Sequence, residues 1–589
     1  MWKNNKFHIE YLAIFLIILS IFTFPIIFKM NNAVYGPLYG TDNRAAIWHF
    51  WWFNYSFENN LNVDTNILTN YPFGVANMAP KIFPLCMIPA YILSILVNEI
   101  FAYNVLILSS FIFSFLCMYI LVFYLTKRRS AAFISGLIYS LCPYHINKSW
   151  EHFGLTFIEF IPLYVYCLLK LKEKPSLKHL IFCVLSLILV ILSDQTYVFI
   201  ILIFSLFYLF FLVFSYWKNK VNLYLHLLNF MKMSILSFLI VLPILYPSLK
   251  KIFLSRSNLA FGDSNVLIRP FHYLFTQSAS ILAYLIPSKF HPIWGGLARS
   301  LEGSIFFGRG SIEQTLYLGW IGLFLTYIAI KKKNQKDISK INQITLTQKE
   351  FTQRLFLFIL FASIIFSMPP YLNLLFFKVY FPSFLIYKIF PVFRAYARFG
   401  VLAILSVSIL AGYGFSSLLI TKKRRLITTA LVSFLILIDF ANIPPFRIAE
   451  INRCPAVYSW LAEQRGFFAI AEYPIRLGDM SEGYENLDYL LYQRFHQKAI
   501  INGAKPGTYA YTIKQKIIKI TEEETPEFLS SLGVKYVILH LDEYRQGNNK
   551  EATDIIGEIP DLSKSKGLKL VKKLGDDEVY EITASSINN

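Results

Sequence analysis

The chain has 589 residues, of which 56% are hydrophobic and 17% are aromatic, and its formal net charge at pH 7 is +20. Apolar runs long enough to cross a bilayer recur along it, which excludes an ordinary soluble protein with one core. The Lys and Arg residues gather in short clusters between these runs, as cytoplasmic loops do, so the positive charge indicates membrane topology and no nucleic-acid partner.

A short basic amino terminus contains Lys3 and Lys6. The first apolar run follows it and extends to Phe28. It is long enough to span the membrane, and no small-residue cleavage site follows it. The sequence therefore predicts a retained first span with a cytoplasmic amino terminus.

The stretch after the first span contains a second, shorter apolar run. Ile82–Val97, which prolines interrupt, is barely long enough to span, whereas Asn104–Thr126 is long enough. If both crossed, Lys127-Arg128-Arg129 would face outward, against the positive-inside rule. We therefore expect Ile82–Val97 to be interfacial or re-entrant, within one outer loop over 29–103.

The remaining basic clusters then fall on the cytoplasmic side, which supports this topology. The predicted fold is a polytopic α-helical membrane protein with about 11 transmembrane helices. Further outer loops are expected over 247–314 and 369–396. The predicted spans are 9–28, 104–126, 130–143, 155–170, 178–193, 196–216, 226–246, 315–330, 354–368, 397–420 and 426–443.

From residue 447 the composition becomes that of a soluble domain. β-rich runs alternate with amphipathic segments that fit helices at 456–464 and 523–532. The sequence predicts a transmembrane module over 1–446 and a soluble extracytoplasmic α/β domain over 447–589 that helps to bind the acceptor. The predicted strands are 467–473, 498–502, 534–541, 568–574 and 578–582.

The start of the first outer loop carries the leading catalytic candidate, Asp42. A carboxylate at a membrane surface requires either an ion-pair or hydrogen-bond partner or a functional role. Trp48, Trp51 and Trp52 follow it, and tryptophans concentrate at membrane interfaces. We expect these rings to hold the segment flat on the bilayer with Asp42 as general base; the alternative is that they form only an interfacial belt.

Other acids lie at the same predicted outer level. Glu151 with His152, and Asp194, are further catalytic candidates, and Glu159 and Glu313 are weaker ones. Several charges at one depth suggest a shared polar cavity, and the alternative is a set of structural ion pairs or solvated helix ends.

The cations at this level are Arg44, Lys148, Arg256, Arg269, Arg394 and Arg398. The planar guanidinium group suits phosphate, so Arg256, Arg269, Arg394 and Arg398 are candidate ligands for a donor phosphate. Arg394 and Arg398 would share one helix face if the helix has begun by Arg394. The alternative is that these residues bind lipid headgroups.

Short motifs along most of the chain together resemble a known family. The motifs are Tyr39-Gly40-Thr41-Asp42, Tyr71-Pro72-Phe73-Gly74, Trp150-Glu151-His152-Phe153-Gly154, Asp194-Gln195-Thr196-Tyr197, Ala283-Tyr284-Leu285-Ile286-Pro287-Ser288 with His291-Pro292, Tyr317-Leu318-Gly319, and Phe393-Arg394-Ala395-Tyr396-Ala397-Arg398-Phe399. With the order of spans and loops, they resemble the GT-C superfamily of integral-membrane glycosyltransferases, in particular the bacterial branch of YfhO-like proteins.

The resemblance implies a multi-pass enzyme of the bacterial cytoplasmic membrane. It would move a sugar from a polyprenyl-phosphate-linked donor to a hydroxyl of a cell-envelope glycan, lipid or protein on the outer face. Asp42 matches the acid that acts as general base, and an arginine would stabilise the departing phosphate. Asn43 stands where a second acid often follows, so a divalent metal stays an open alternative that no clear motif supports, and no other cofactor is predicted.

Two other classes of protein remain open from the sequence. A transporter or flippase for lipid-linked glycans would also need a charged outer vestibule, although no inverted repeat is evident. A non-catalytic assembly factor would use the tail as its binding module. Replacement of Asp42 separates both classes from an enzyme.

Overall fold

The structure is a computed structural model. The residues that it describes are 6–36, 42–76, 84–217, 219–257, 270–304, 306–308, 312–334, 347–374, 377–418, 421–444, 448–475, 487–502, 509–547, 558–562 and 565–583.

Most of the regular structure is helical. The α-helices are α1 (Lys6–Phe22), α2 (Asp42–Glu58), α3 (Pro84–Leu96), α4 (Glu99–Thr126), α5 (Arg129–Ser140), α6 (Pro143–Glu151), α7 (Phe160–Glu173), α8 (Leu177–Ser193), α9 (Gln195–Tyr216), α10 (Lys220–Ser257), α11 (Tyr273–Thr276), α12 (Gly295–Leu301), α13 (Trp320–Asn334), α14 (Gln348–Ser367), α15 (Pro382–Ile389), α16 (Gly400–Ser417), α17 (Lys422–Asp439), α18 (Ala456–Glu463), α19 (Leu487–His496), α20 (Tyr509–Lys516), α21 (Thr525–Ser531) and α22 (Leu541–Gly547).

The strands form one larger sheet and several short pairs. The strands are β1 (Ala33–Tyr35), β2 (Thr65–Asn66), β3 (Val75–Ala76), β4 (Tyr371–Leu374), β5 (Phe377–Tyr380), β6 (Ile448–Glu450), β7 (Ala469–Tyr473), β8 (Ala499–Ile500), β9 (Val534–His540), β10 (Leu568–Leu574) and β11 (Asp577–Ile582).

The chain divides into two compact units. The helical unit contains Met1–Phe28, Val105–Ile244 and Arg269–Pro445. The mixed unit contains Lys29–Asn104, Leu245–Ile268 and Phe446–Asn589. In this division residues 29–104 group with the carboxyl-terminal residues, whereas the sequence-based division at 446 separates them.

In the helical unit, each predicted span coincides with an α-helix, namely α1, α4, α5, α7, α8, α9, α10, α13, α14, α16 and α17. Among the described residues, 5 helices are long and apolar enough to cross a membrane: Glu99–Thr126, Gln195–Tyr216, Lys220–Tyr246, Gln348–Ser367 and Tyr396–Ser417. The helical membrane architecture is thus supported, and the full number of crossings stays a prediction.

Helix α16 lies at the centre of the helical unit, and almost all of its residues are buried. Its glycines allow neighbouring helices to approach closely. A Cβ atom on Gly414 would lie 1.8 Å from the Leu325 carbonyl oxygen of α13, and one on Gly412 would lie 2.5 Å from Ser135 Oγ of α5. Small residues at helix contacts are typical of membrane helix packing.

In the mixed unit, a 5-stranded sheet has the order β10-β11-β9-β7-β8. Strands β7, β8 and β9 are parallel, whereas β10 and β11 are antiparallel to their neighbours. The predicted strands and both predicted helices of the tail are observed at nearly their predicted positions. Their alternating apolar residues form the core of the unit.

The predicted interfacial role of the tryptophans is wrong. Trp48, Trp51 and Trp52 lie on α2 and are buried in the hydrophobic core of the mixed unit with residues from the tail. The indole Nε1 of Trp48 donates to Gln493 Oε1 at 2.9 Å, and that of Trp52 donates to the Val63 carbonyl at 3.0 Å. The rings pack against protein because α2 lies on α19.

Helix α3 corresponds to the short apolar run of the first loop. It has 13 residues, fewer than a membrane crossing requires. Cys86, Ala90 and Ser94 form its buried face, whereas Ile88 and Ile92 are exposed. This amphipathic pattern supports an interfacial or re-entrant segment, which stays a prediction.

Candidate functional site

An ion-pair cluster forms around Glu313 in the helical unit. Its Oε1 accepts a hydrogen bond from Arg398 Nε at 2.6 Å. Its Oε2 accepts one from Lys148 Nζ and lies 3.5 Å from His152 Nε2. The Glu313 side chain is 6% exposed, whereas those of Arg398 and His152 are 18% and 27% exposed. The carboxylate is thus buried beneath Arg398 and His152, which reach solvent.

Local structure explains how these residues meet. Helix α6 begins with Pro143 and carries Lys148 in its last turn, and His152 is the residue that follows the helix. The spacing of four residues places Lys148 and His152 on the same side. Glu313 lies in a 3₁₀ helix, Ile312–Gln314, which Gln314 anchors by donating to the Ser278 carbonyl at 3.0 Å.

The electrostatics favour an ionised carboxylate at Glu313. Burial alone would raise its pKa, but the charges of Arg398 and Lys148 outweigh burial and hold the pKa well below its usual range. A buried carboxylate with such partners fixes the positions of the elements that contribute them. The loss of the Glu313 carboxylate would leave Lys148 and Arg398 without this partner.

Asp194 joins the same cluster through a hydrogen-bonded chain. Its Oδ1 accepts from the Thr196 backbone N–H at 2.7 Å and caps α9, and Thr196 Oγ1 accepts from Arg398 Nη1 at 2.9 Å. The structure therefore brings together three predicted site residues, His152, Asp194 and Arg398. Glu151 ends α6 and interacts electrostatically with Lys148.

The predicted pairing of Arg394 with Arg398 is wrong. A 3₁₀ helix begins at Tyr396 and α16 begins at Gly400, so Arg394 precedes the helix and the two arginines share no helix face. The Arg394 guanidinium carbon lies 5.6 Å from the centroid of the Tyr273 ring. Arg269 lies outside the described residues, and for Arg256 only the backbone, in α10, is described.

Asp42 is the first residue of α2 in the mixed unit and is exposed. The next two side chains are buried. Asn43 Nδ2 donates to the Tyr35 carbonyl at 2.7 Å, and Arg44 Nε donates to Asp488 Oδ1. The Tyr39-Gly40-Thr41 part of the motif lies outside the described residues. The polar side chains after Asp42 thus fix the backbone, while Asp42 itself faces solvent.

Asn43 has a structural role at the position where a second acid was considered. Its Oδ1 accepts from Arg44 Nη1 at 3.1 Å, and its Nδ2 is bonded to Tyr35. Within the described ranges, no group of three or more His, Cys, Asp or Glu residues is placed to hold a metal ion.

Several of the other motifs hold the fold together. Tyr317 Oη donates to Asp439 Oδ1 at 2.5 Å, and Asp439 Oδ2 accepts from the Ile321 backbone N–H at 3.1 Å. In the mixed unit, the Tyr71 ring packs on Phe467 with centroids 5.8 Å apart. Gly74 has φ +69°, and a Cβ there would lie 2.7 Å from the Asn66 carbonyl oxygen, so a side chain is disfavoured.

Sequence reasoning did not identify the two acids that pair with Arg398 and Arg44, namely Glu313 and Asp488. Glu313 was considered only as a weaker candidate, although it is the centre of the cluster in the helical unit. Asp488, the partner of Arg44, was not considered, because it lies 444 residues further along the chain. No local pattern in a single sequence indicates such a pair.

Comparison with solved structures identifies the architecture. The arabinofuranosyltransferase AftD from Mycobacteria aligns with a TM-score of 0.52 and 12% identity over 99% of this chain and 40% of that chain. The apo oligosaccharyltransferase of Archaeoglobus fulgidus aligns with a TM-score of 0.51 and 12% identity over 92% of this chain and 70% of that chain. Both belong to the GT-C type. This chain has a GT-C-like fold.

The predicted GT-C resemblance is confirmed at the level of the fold, and the YfhO-like branch stays a prediction. No protein-family model matches the chain, and no curated protein matches it by sequence. Within the GT-C-like fold, the helical unit contributes the Glu313 cluster and the mixed unit contributes Asp42.

Proposed function

We propose that this protein is a membrane glycosyltransferase that moves a sugar from a polyprenyl-phosphate-linked donor to an acceptor hydroxyl. The observation that carries the proposal is the Glu313 cluster, in which one buried carboxylate binds Lys148 and holds the partly exposed Arg398 and His152 in place. A cationic surface of this kind suits a phosphate group. The GT-C-like fold supports the reaction class.

The proposed reaction has one chemical step. Asp42 accepts the proton of the acceptor hydroxyl as its oxygen attacks the anomeric carbon of the donor. The bond from that carbon to the phosphate oxygen breaks, and the polyprenyl phosphate leaves with the bonding electrons. An arginine stabilises the negative charge on the departing phosphate. Asp194 and Glu151 are alternative bases.

The proposal includes a place and an orientation in the cell. We place the protein in the bacterial cytoplasmic membrane with about 11 crossings, a cytoplasmic amino terminus and an extracytoplasmic carboxyl-terminal region. A glycan, lipid or protein of the cell envelope would be the acceptor. The distribution of basic clusters along the sequence supports this orientation.

The first test compares cell-envelope glycans, by mass spectrometry, in cells with and without the protein. We expect a sugar-sized mass to disappear without the protein and to return with the wild type but not with Asp42→Asn. A return with Asp42→Asn would instead favour an assembly factor. Accumulation of an intact lipid-linked glycan in the cells that lack the protein would favour a transporter.

The second test examines the phosphate ligand. We expect Arg398→Lys to weaken binding of undecaprenyl phosphate to the purified protein by roughly tenfold, because lysine keeps the charge but loses the planar fork. Arg299→Lys is the matched control, since Arg299 is exposed and donates to the Lys289 carbonyl at 2.9 Å, outside the Glu313 cluster. Equal binding by both variants in native mass spectrometry would contradict the assignment.

A further inference from the structure

We propose that the carboxyl-terminal region of the chain positions Asp42, and that Asp488 and Gln493 of α19 are positioning residues for the transfer reaction. The consequence for catalysis rests on the proposed function. The contacts that would position Asp42 all lie within the mixed unit.

The buried ion pair between α2 and α19 is the first contact. Arg44 is fully buried, and its Nε donates to Asp488 Oδ1, whose side chain is 14% exposed. A buried guanidinium without a carboxylate partner is strongly unfavourable. Separation of the first turn of α2 from α19 would break this buried ion pair, which is unfavourable.

A buried amide makes the second contact one turn further along α2. Trp48 Nε1 donates to Gln493 Oε1 at 2.9 Å, and Gln493 Nε2 donates to the carbonyls of Leu68 and Lys498 at 2.8 and 2.9 Å. Both the oxygen and the nitrogen of the Gln493 amide are hydrogen-bonded, which fixes the orientation of the side chain. Arg44 and Trp48 are four residues apart and so define one face of α2.

The segment before Asp42 is tied to the same region. Strand β1 pairs with β6 so that Ala33 faces Glu450 and Tyr35 faces Ile448. Asn43 Nδ2 donates to the Tyr35 carbonyl at 2.7 Å, which connects this pair to the start of α2. The chain on both sides of Asp42 is thus held by residues from beyond position 446.

Asp42 lies two residues before Arg44 in the first turn of α2. The position of its carboxylate therefore follows the position of α19. A base that is displaced by even a small distance loses much of its effect, because proton transfer requires hydrogen-bond contact. The carboxyl-terminal region, expected from the sequence to serve as an acceptor-binding cap, would in this way also support the chemistry.

The test compares two carboxylates of similar environment in the full-length protein. Asp488→Asn removes the partner of Arg44. Asp577→Asn is the matched control, since the Asp577 side chain is 18% exposed and pairs with His540 instead of Arg44. Hydrogen–deuterium exchange measures the opening of residues 42–48, and the envelope-glycan comparison measures transfer.

We expect Asp488→Asn to raise exchange over residues 42–48 by tenfold or more and to reduce transfer by a similar factor. We expect Asp577→Asn to leave both unchanged. Asp488→Glu, which keeps the charge, should restore most of the transfer and the protection. This rescue separates positioning from a general loss of stability.

Two results would overturn the inference. The first is unchanged exchange over residues 42–48 in Asp488→Asn, and the second is normal transfer despite increased exchange. If deletion of the protein leaves all envelope glycans unchanged, the proposed function fails, and the exchange measurement still decides whether Asp488 holds α2.

Discussion

In the helical unit the carboxylate of Glu313 is buried and its partners Arg398 and His152 reach solvent, whereas in the mixed unit the cation of Arg44 is buried and the nearby Asp42 is exposed. In each case the buried charge fixes the backbone, and the exposed group of opposite sign is the one that a substrate can reach. The difference shows that the two units bury charges of opposite sign to hold their backbones.

The largest expected effect concerns Asp42, the exposed carboxylate of the mixed unit. Asp42→Asn removes the proposed base, and the loss of a positioned base typically costs about 100- to 10,000-fold in rate. We expect near-complete loss of the envelope-glycan product, with normal expression and folding. Binding of undecaprenyl phosphate should change much less, because the cationic cluster is intact.

Glu58→Gln is the matched control for that prediction, since Glu58 is an exposed carboxylate at the other end of α2. It should transfer sugar normally. An Asp42→Asn variant that keeps more than about a tenth of normal turnover would contradict the role of Asp42 as base. Glu151 or Asp194 would then be tested in the same way.

The sequence was sufficient for the helical framework and for the strands of the tail, because both depend on local patterns. Long apolar runs and the clusters of basic residues between them indicate the spans, and alternating apolar residues indicate strands. The predicted strand over 568–574 and the observed β10, Leu568–Leu574, have the same bounds. Such patterns report which residues avoid water, whatever they pack against.

That same property explains what the sequence could not provide. Trp48, Trp51 and Trp52 avoid water equally well in a bilayer interface and in a protein core, and the choice depends on α19, whose residues lie more than 400 positions away. The separation of Arg394 from Arg398 likewise depends on where the helix begins, and helix boundaries are poorly specified by local sequence.

The second prediction concerns Glu313, the buried carboxylate of the helical unit. Glu313→Gln keeps the shape of the side chain but leaves Lys148 and Arg398 without their carboxylate. Breaking a buried ion pair in this way costs about 3–5 kcal/mol. We expect a decrease of this size in the free energy of unfolding, measured in detergent, together with loss of undecaprenyl phosphate binding.

The matched control for Glu313 is Glu302→Gln. Glu302 pairs with Lys289 at 2.8 Å, but both side chains are about one-third exposed. Exposed pairs contribute about 0–1 kcal/mol, so the control should be nearly as stable as the wild type. Similar losses in both variants would mean that burial does not distinguish the Glu313 cluster from an ordinary surface pair.

The smallest effect concerns a third arrangement, in which a cation is buried between two acids. In the sheet of the mixed unit, His540 Nδ1 lies 2.7 Å from Asp577 Oδ1 and His540 Nε2 lies 3.1 Å from Glu472 Oε2. Both ring nitrogens thus face carboxylates and donate, which requires a protonated ring. Tyr458 Oη also donates to Glu472 Oε2 at 2.6 Å. This cluster contains none of the residues proposed to contact substrate, so we expect it to affect stability alone.

Burial alone would lower the pKa of His540, but the hydrogen bonds to Asp577 and Glu472 outweigh it and raise the pKa well above its usual value. The stabilisation is therefore fully present below the unfolded-state pKa of about 6.5 and is lost as the pH rises through the raised folded-state pKa, by at most about 1.4 kcal/mol per pH unit. Thermal unfolding measured between pH 7 and pH 9.5 should show this loss of stability in the wild type. His540→Gln should not show it. His496→Gln should keep the decline, because burial and the neighbouring Lys498 lower the pKa of His496 to about 3 and its ring stays neutral over this range. A wild type that becomes more stable with rising pH would show that the ring of His540 is not held as a cation by its two acids.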